Sequence, residues 1–581
     1  MSKITKSQKK FLKGAYKNTP LEELSKKTGI SQEEILSYIK KSGKDVGKII
    51  ETVHPDSAEK KIKSLPEVFS ILKNNKLIIL GLLVLVSVLY FNSLKGQFVA
   101  DDILGFRDNP QVRDLTASFR SMKMQAVVCA LSFKFFGLSP VPLHIVSIFY
   151  HLINSLLVFI LGTLLFGRKT GALAAFLFAA FPVNTEAVSW ISASNYSSEA
   201  GVFLIMAIFY YLYKSSGRKI YMLSSVVSGA FGIFVVGSNF VISFVPLIFI
   251  IDRFILEKKS FGSSLKNVAF LVPLTAVNFL YKYGQYGNRV SYLSGSSEAN
   301  VAFAMPYFFR FPYTLYSNFR LLIFPRDLSI FHEGDVITDA GFLLMWIFTL
   351  TFFGLAYYLR KRKPEISGLL LFIPVALSLT FSPVLISSYF AERYLYLATI
   401  GFCMLLAVLL GMLETKLGFK HLAIFITAVI LVPYSIKVVT RNVEWSTPEK
   451  LWVSTTREVP NSPRAHKVLA DYYIENKDFE KAAEESEIAL KLRNGDYPGA
   501  RNNLGLSYLR LGMTEKAEEH FLENMKTYPD MWQSYFNMSE IEVNRNNIEG
   551  AVFYLGKVLE LDPGNEKARY ILGKIQEGSG L

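Results

Sequence analysis

The sequence predicts an all-α protein: a bundle of membrane-spanning helices followed by a solenoid of shorter helices. Three observations carry this. Hydrophobic residues make up 51% of the 581-residue chain and charged residues only 19%, too apolar a balance for soluble domains of that combined length. Apolar runs of spanning length recur from residue 77 to about residue 440. Beyond residue 463 the runs give way to a repeat with a period of 34 or 35 residues.

Composition also excludes. The two cysteines, Cys129 and Cys403, both sit in apolar runs, so a disulfide scaffold and a Cys-rich metal site are ruled out. The net charge of +15 would suit a nucleic-acid partner, but lysine-rich cytosolic loops give the same sum, and no nucleic acid is expected.

In chain order, residues 1–76 form a polar head with 17 Lys, no Arg and 9 Asp or Glu, a net charge of +8. Thr19-Pro20-Leu21-Glu22 and Ser31-Gln32-Glu33-Glu34 read as capping boxes opening two helices, with Gly29 in the turn between them. The unit looks like a helix-turn-helix, yet residues 31–41 offer few base-reading groups, so a small cytosolic docking module is expected. The head is too long for a signal-peptide n-region, and the run at 77–91 is expected to be an uncleaved first span with residues 1–76 in the cytosol.

The core, residues 77–440, holds ten further apolar runs at 141–166, 170–187, 199–213, 220–236, 240–256, 266–281, 340–359, 366–386, 396–413 and 421–438. About eleven spans are therefore expected. Basic loops such as Arg168-Lys169, Lys258-Lys259 and Arg360-Lys361-Arg362-Lys363 fall on one side only if residues 301–324 do not cross. That segment, with Arg310, Arg320 and several tyrosines, suits an interfacial or re-entrant stretch. Eleven crossings put the C-terminus opposite the cytosol; twelve would put the Arg-Lys-Arg-Lys cluster outside, against the positive-inside rule.

A junction, residues 441–462, leads into residues 463–581. There Leu469-Ala470, Tyr473, Ala482 and Ala489 are echoed by Leu504-Gly505, Tyr508, Ala517 and Phe521, then by Tyr535, Met538-Ser539, Ala551 and Leu555. Small residues where two helices touch, with Pro529 and Pro563 closing the second helix of a pair, resemble tetratricopeptide repeats. Three repeats are expected, with residues 565–576 as a terminal helix covering the last apolar face.

Ionisable groups at the ends of spans call for a reason. Four sets stand out, all on the non-cytosolic face of the eleven-span arrangement: Asp101-Asp102 in the first outer loop, Glu186, Arg310 with Arg320, and Glu392-Arg393 followed by Tyr394. Carboxylates and guanidiniums meeting at a membrane surface suit a reaction on a lipid-linked phosphate. One carboxylate can deprotonate an acceptor hydroxyl, and an arginine can hold the departing phosphate. The bland reading makes Asp101-Asp102 a loop cap and Glu392-Arg393 an internal ion pair. His144 and His151, seven apart on one helix face, read as hydrogen-bonded packing residues.

Residues 98–115 (FVADDILGFRDNPQVRDL) resemble the first-loop motif of membrane O-mannosyltransferases that carry tetratricopeptide tails. Residues 137–167, 181–194 (FPVNTEAVSWISAS), 321–331 (LLIFPRDLSIF) and 391–402 (AERYLYLATIGF) resemble later blocks of that family in order, and residues 445–465 resemble its junction with the repeats. The resemblance implies a C-type glycosyltransferase core with a polyprenyl-phosphate sugar as donor. Carried over, it makes Asp101 the base, Asp102 a second acid or a divalent-metal contact, and Glu186, Arg320, Glu392, Arg393 and Tyr394 the donor–acceptor cleft, with Arg393 the first choice for the phosphate. No other cofactor is expected. The implied function is transfer of a mannose-like sugar to a hydroxyl, with inversion, on a polypeptide acceptor held by the repeats. It is expected on the non-cytosolic face of a bacterial-type plasma membrane. Two departures stand out: Met124-Gln125-Ala126 replaces the family's Tyr-Arg-Pro, and Phe181 and Asn184 occupy its histidine places. They keep a second reading open, a membrane-anchored repeat scaffold without activity. A transporter is disfavoured, since the charges lie at the rim of the spans rather than at mid-membrane.

Overall fold

In a computed structural model the described residues are 62–121, 123–257, 260–295, 307–332, 338–381 and 390–577, together with parts of the head, chiefly 21–31. Among them the chain is helical throughout, as expected, and no strand occurs.

Of the head, the helix Leu21–Thr28 is described, and Leu12, Leu24, Ile30 and Ile35 are each buried. Gly29 ends it in the left-handed region, φ 66°, a conformation glycine adopts without steric penalty. The expected second helix falls largely outside the described residues, as do Thr19 and Pro20.

The core is organised around the 26-residue helix Val141–Phe166, which turns at Gly167 into Arg168–Ala179. These two helices meet at glycines: a Cβ on Gly162 would lie 2.8 Å from Gly171 Cα, and one on Gly171 2.5 Å from the backbone nitrogen of Thr163. Small residues let apolar helices approach at backbone distance, where dispersion rather than a hydrophobic drive holds them. The run expected as one span at 170–187 is instead broken. Pro182, which has no N–H to continue the ladder, starts a short turn, and the chain resumes at Thr185–Ser189 bent by 53°. The bend carries Glu186 into the end of the bundle.

Seven helices among the described residues are long and apolar enough to cross a membrane, or eight if the bent pair counts as one span. The remaining expected runs fall in the helices Ser194–Ser216, Val241–Ile250 with its continuation Ile251–Leu256, and Pro364–Ala376. The segment read as non-crossing contains the helix Tyr307–Ile323, which carries Pro312 within it.

After the junction helix Pro448–Glu458 come three antiparallel pairs: Pro463–Glu475 with Phe479–Leu492, Pro498–Arg510 with Thr514–Thr527, and Trp532–Asn544 with Ile548–Leu561. Ala482, Ala517 and Ala551 are fully buried where each pair touches, and Gly505 leaves room for the Phe521 ring. The helix Glu566–Gln576 closes the array over Leu555 and Val558.

The solenoid is seated on the core. Val99, Trp190, Ala193 and Ile330 from the loops at one end of the bundle share a buried cluster with Trp445, Leu451 and Trp452, and with Leu469 and Tyr473 of the first repeat helix. Ser446 O also accepts from the amide of Gln97 at 2.9 Å.

Candidate active site

At that same end of the bundle lies a set of buried charges. Glu186, on the helix set by the Pro182 break, is fully buried and accepts twice from one residue: Arg393 Nη1 donates to Oε1 at 2.6 Å and the Arg393 amide to Oε2 at 3.0 Å. Charge-assisted bonds of this length fix both partners in place. The Arg393 side chain keeps 14% exposure. It lines a small cavity of about 190 Å³ with Tyr196, Glu199, Phe240, Tyr394 and Leu397. Its Cζ lies 4.9 Å from the Tyr394 ring, whose edge meets Tyr196 at 5.5 Å.

Glu392 is directed away from its neighbour Arg393. Its Oε1 accepts from the amide of Ser329, lies 3.3 Å from His332 Nε2 and 3.5 Å from Arg441 Nη2. Arg441, fully buried, also bonds Glu444 at 2.7 Å, and Glu444 meets Arg457 of the junction helix at 2.9 Å. A buried carboxylate beside an arginine is far less costly than one left alone. Glu392, Glu444, Arg441 and Arg457 thus form a charge chain from the core to the junction.

The loop after the first span presents its two acids differently. The turn through Ala100 (φ 48°) leaves Asp101 exposed and Asp102 fully buried. Asp102 Oδ1 accepts from the amide and the hydroxyl of Ser192, at 2.8 and 2.5 Å, and Oδ2 from the Val99 amide at 3.3 Å. Burial pushes its carboxyl up to about 7 against the three donors, which pull the other way. Gln125, in the place of the family's arginine, sends its amide to Ile191 O at 3.2 Å and to Ser192 O and Ser194 Oγ at 3.4 Å. Segment 191–194 is therefore gripped from two sides, by Asp102 and by Gln125. A second cavity, about 380 Å³ in extent, lies beside Gln125, Tyr150, Ser194 and Asn195.

Of the residues singled out from the sequence, Arg393 and Tyr394 line one cavity, Glu186 bonds Arg393 from behind it, and Glu392 adjoins them on the chain. Arg320 stands apart: its exposed guanidinium lies 3.9 Å from Asp327. Among the described residues no group of three or more His, Cys, Asp or Glu side chains is placed to share a metal ion, and both oxygens of Asp102 are taken up by Ser192 and Val99. His151 bonds Tyr396 OH at 2.7 Å and Ala179 O at 3.1 Å, a packing role. Asn184, in a family histidine place, bridges Phe178 O and the Thr399 hydroxyl, each at 3.0 Å, while Phe181 packs edge-on against Phe402 and Tyr434. Sequence reasoning missed Arg441 and His332. Arg441 carried a signal, an arginine near the end of an apolar helix, four residues before Trp445.

Comparison with known proteins agrees with the resemblance. Residues 533–565 match the tetratricopeptide repeat model. The chain is 23% identical over 528 residues, 80% of its length, to protein O-mannosyl-transferase TMTC3 of Homo sapiens. It is 26% identical over 495 residues to TMTC1 of Homo sapiens, and 24% over 453 residues to protein O-mannosyl-transferase F38B6.6 of Caenorhabditis elegans. These matches cover 72% and 69% of this chain. The chain spans 56%, 55% and 61% of the length of those three relatives. Among solved structures, ArnT from Cupriavidus metallidurans bound to undecaprenyl phosphate is similar over 78% of this chain and 80% of its own, at 13% identity and a TM-score of 0.36. That likeness is too loose to bear on mechanism.

Proposed function

We propose that this membrane protein is a glycosyltransferase that moves a mannose-like sugar from a polyprenyl phosphate to a hydroxyl of a polypeptide, at the non-cytosolic face of the plasma membrane, with its N-terminus in the cytosol. The observation that carries the reading is Arg393: a nearly buried guanidinium, oriented by Glu186 and open on one side to a cavity lined by aromatics. The names of the relatives point the same way.

In this reading the acceptor oxygen attacks the anomeric carbon as the bond from that carbon to the phosphate oxygen breaks, inverting the centre. The phosphate leaves with the bonding pair, and Arg393 offsets its growing charge. Asp101, exposed at the rim, takes the hydroxyl proton. Asp102 ties the loop that carries Asp101 to residue 192, and the repeats hold the acceptor chain. A divalent ion would have to be shared with substrate phosphate, since the protein groups described form no ligand set of their own. The rival reading, an inactive scaffold, is favoured by one observation: Gln125 is neutral and occupied where the family has an arginine.

Purified full-length chain incubated with radiolabelled polyprenyl-phosphate mannose and membrane acceptor proteins tests the proposal. Label in protein, lost on Asp101→Asn, is the expected result. No transfer by the unaltered chain to any acceptor, with the donor intact, would leave the scaffold.

A further inference from the structure

Arg393 is not oriented by Glu186 alone. Its Cζ lies 5.3 Å from the ring centre of Trp190. Trp190 stacks on Trp445, centroids 5.5 Å apart and planes 19° from parallel. At the other end of the series Arg441 Cζ lies 5.4 Å from the Trp445 ring. Cation, indole, indole and cation follow one another, and the series closes on itself because Arg441 reaches Glu392, the residue next to Arg393.

Two facts single this arrangement out from ordinary core packing. Both indoles are almost wholly buried, yet among the described residues neither Nε1 has a hydrogen-bond partner. Buried tryptophans usually satisfy that N–H, so these rings are held by their faces, the surfaces that attract a cation. Trp445 is also the point where the core meets the repeats, packed in one cluster with Leu451 and Trp452 of the junction and Leu469 and Tyr473 of the first repeat.

We infer that Trp445 is a positioning residue for the donor site: the junction and first repeat seat Trp445, Trp445 fixes Trp190, and Trp190 fixes the plane of the Arg393 guanidinium. The inference deepens the reading of Arg393 as the phosphate holder and rests on it. A bond from one Nη to Glu186 locates the group, but a planar fork meets a phosphate bidentately only if its plane is also set, within about 10–20°.

The experiment uses the full-length chain in detergent, with Trp445→Ala, Trp445→Phe, Arg393→Lys and the double variant Trp445→Ala/Arg393→Lys. Trp445→Ala should lower kcat/KM for polyprenyl-phosphate mannose about tenfold, the scale of a desolvated cation–π contact. The acceptor KM should stay within about twofold, and Trp445→Phe, which keeps a stacking face, should recover most of the loss. In the Arg393→Lys background Trp445→Ala should add little, since the planar group it orients is gone. An unchanged kcat/KM for the donor, or the same tenfold effect in the lysine background, would overturn the inference. A ligand-free arm separates it from the functional reading. The thermal midpoints of the same four proteins should be non-additive, and additive midpoints overturn the coupling. If the unaltered chain neither binds nor turns over the donor, the functional reading falls while the thermal cycle still decides whether Trp445 governs Arg393.

Discussion

Ser192 donates to Asp102 twice, through its amide and its hydroxyl, both to the same carboxylate oxygen. The bond joins the loop after the first span to the segment leading into the helix Ser194–Ser216, 90 residues further along the chain. Asp102 is thereby a tether and Asp101, one residue earlier and exposed, is left available at the rim. The division of labour within the pair makes their substitutions distinguishable.

Asp101→Asn keeps the side chain's size and much of its hydrogen bonding but cannot take up a proton. Transfer should fall by about 10² or more, with expression and donor binding retained. Rates measured on the purified variant check this; full activity would remove the loop from the chemistry.

Asp102→Asn should instead show itself in the pH dependence of stability. Burial raises the Asp102 carboxyl to about 7, whereas in the unfolded chain it titrates near about 4. The folded state therefore binds the proton more tightly. Its contribution is fully present below about 4 and is lost as pH rises through about 7. Asparagine does not titrate, but it sets its Nδ2 towards the Val99 amide at every pH, a constant cost. Wild type should be more stable at pH 4, and its advantage should shrink or reverse by pH 8. Thermal midpoints across that range give the test, and a gap that widens with pH would contradict it.

Removing Arg393 leaves the buried Glu186 without its counter-ion. Arg393→Ala should destabilise the protein by about 3–5 kcal/mol, and Glu186→Gln in the same background should recover part of this. Arg393→Lys keeps the charge but not the planar fork, so it should weaken donor binding more than stability. Chemical unfolding and donor titration on the three variants separate the effects.

Orientation is open to direct mapping. Single cysteines at residue 30 and within residues 360–363 should be labelled only from the cytosolic side, and those at residues 101 and 510 only from the other. A cytosolic residue 510 would put the repeats across the bilayer from Asp101, against the cluster that Val99 and Leu469 share.

Gly171→Val should separate the two core helices, because the new Cβ would meet the backbone of Thr163 and Phe159 as well as the Thr163 hydroxyl. A loss of about 1–3 kcal/mol is expected from such overpacking, read as a lowered thermal midpoint.

What the sequence made legible was what repeats or stands alone. Ala482, Ala517 and Ala551 recur at a fixed period because each fills an equivalent helix contact, so the solenoid could be read without coordinates. Glu186 and Arg393 were each visible as charges at span ends, but their pairing joins positions 207 residues apart, which no local pattern encodes. Asp101 and Asp102 look alike in a string of letters; only the turn at Ala100 sends one inward. The 170–187 run read as one span because its apolar residues continue past Pro182, and the break shows only in the backbone. Trp190 and Trp445 were two aromatics among many, and stacking is a property of their meeting.

The seating of Leu469 and Tyr473 against Val99 and Trp190 has a mechanical consequence. A repeat array on a floppy leash would let its cargo sample a sphere, and tether length would decide what reached the membrane. Here the array is bolted at its first helix, and each later pair stacks on the one before it. A chain lying along it would be measured from a set origin, so spacing along that chain, as on a ruler, would govern which of its residues arrives at the rim.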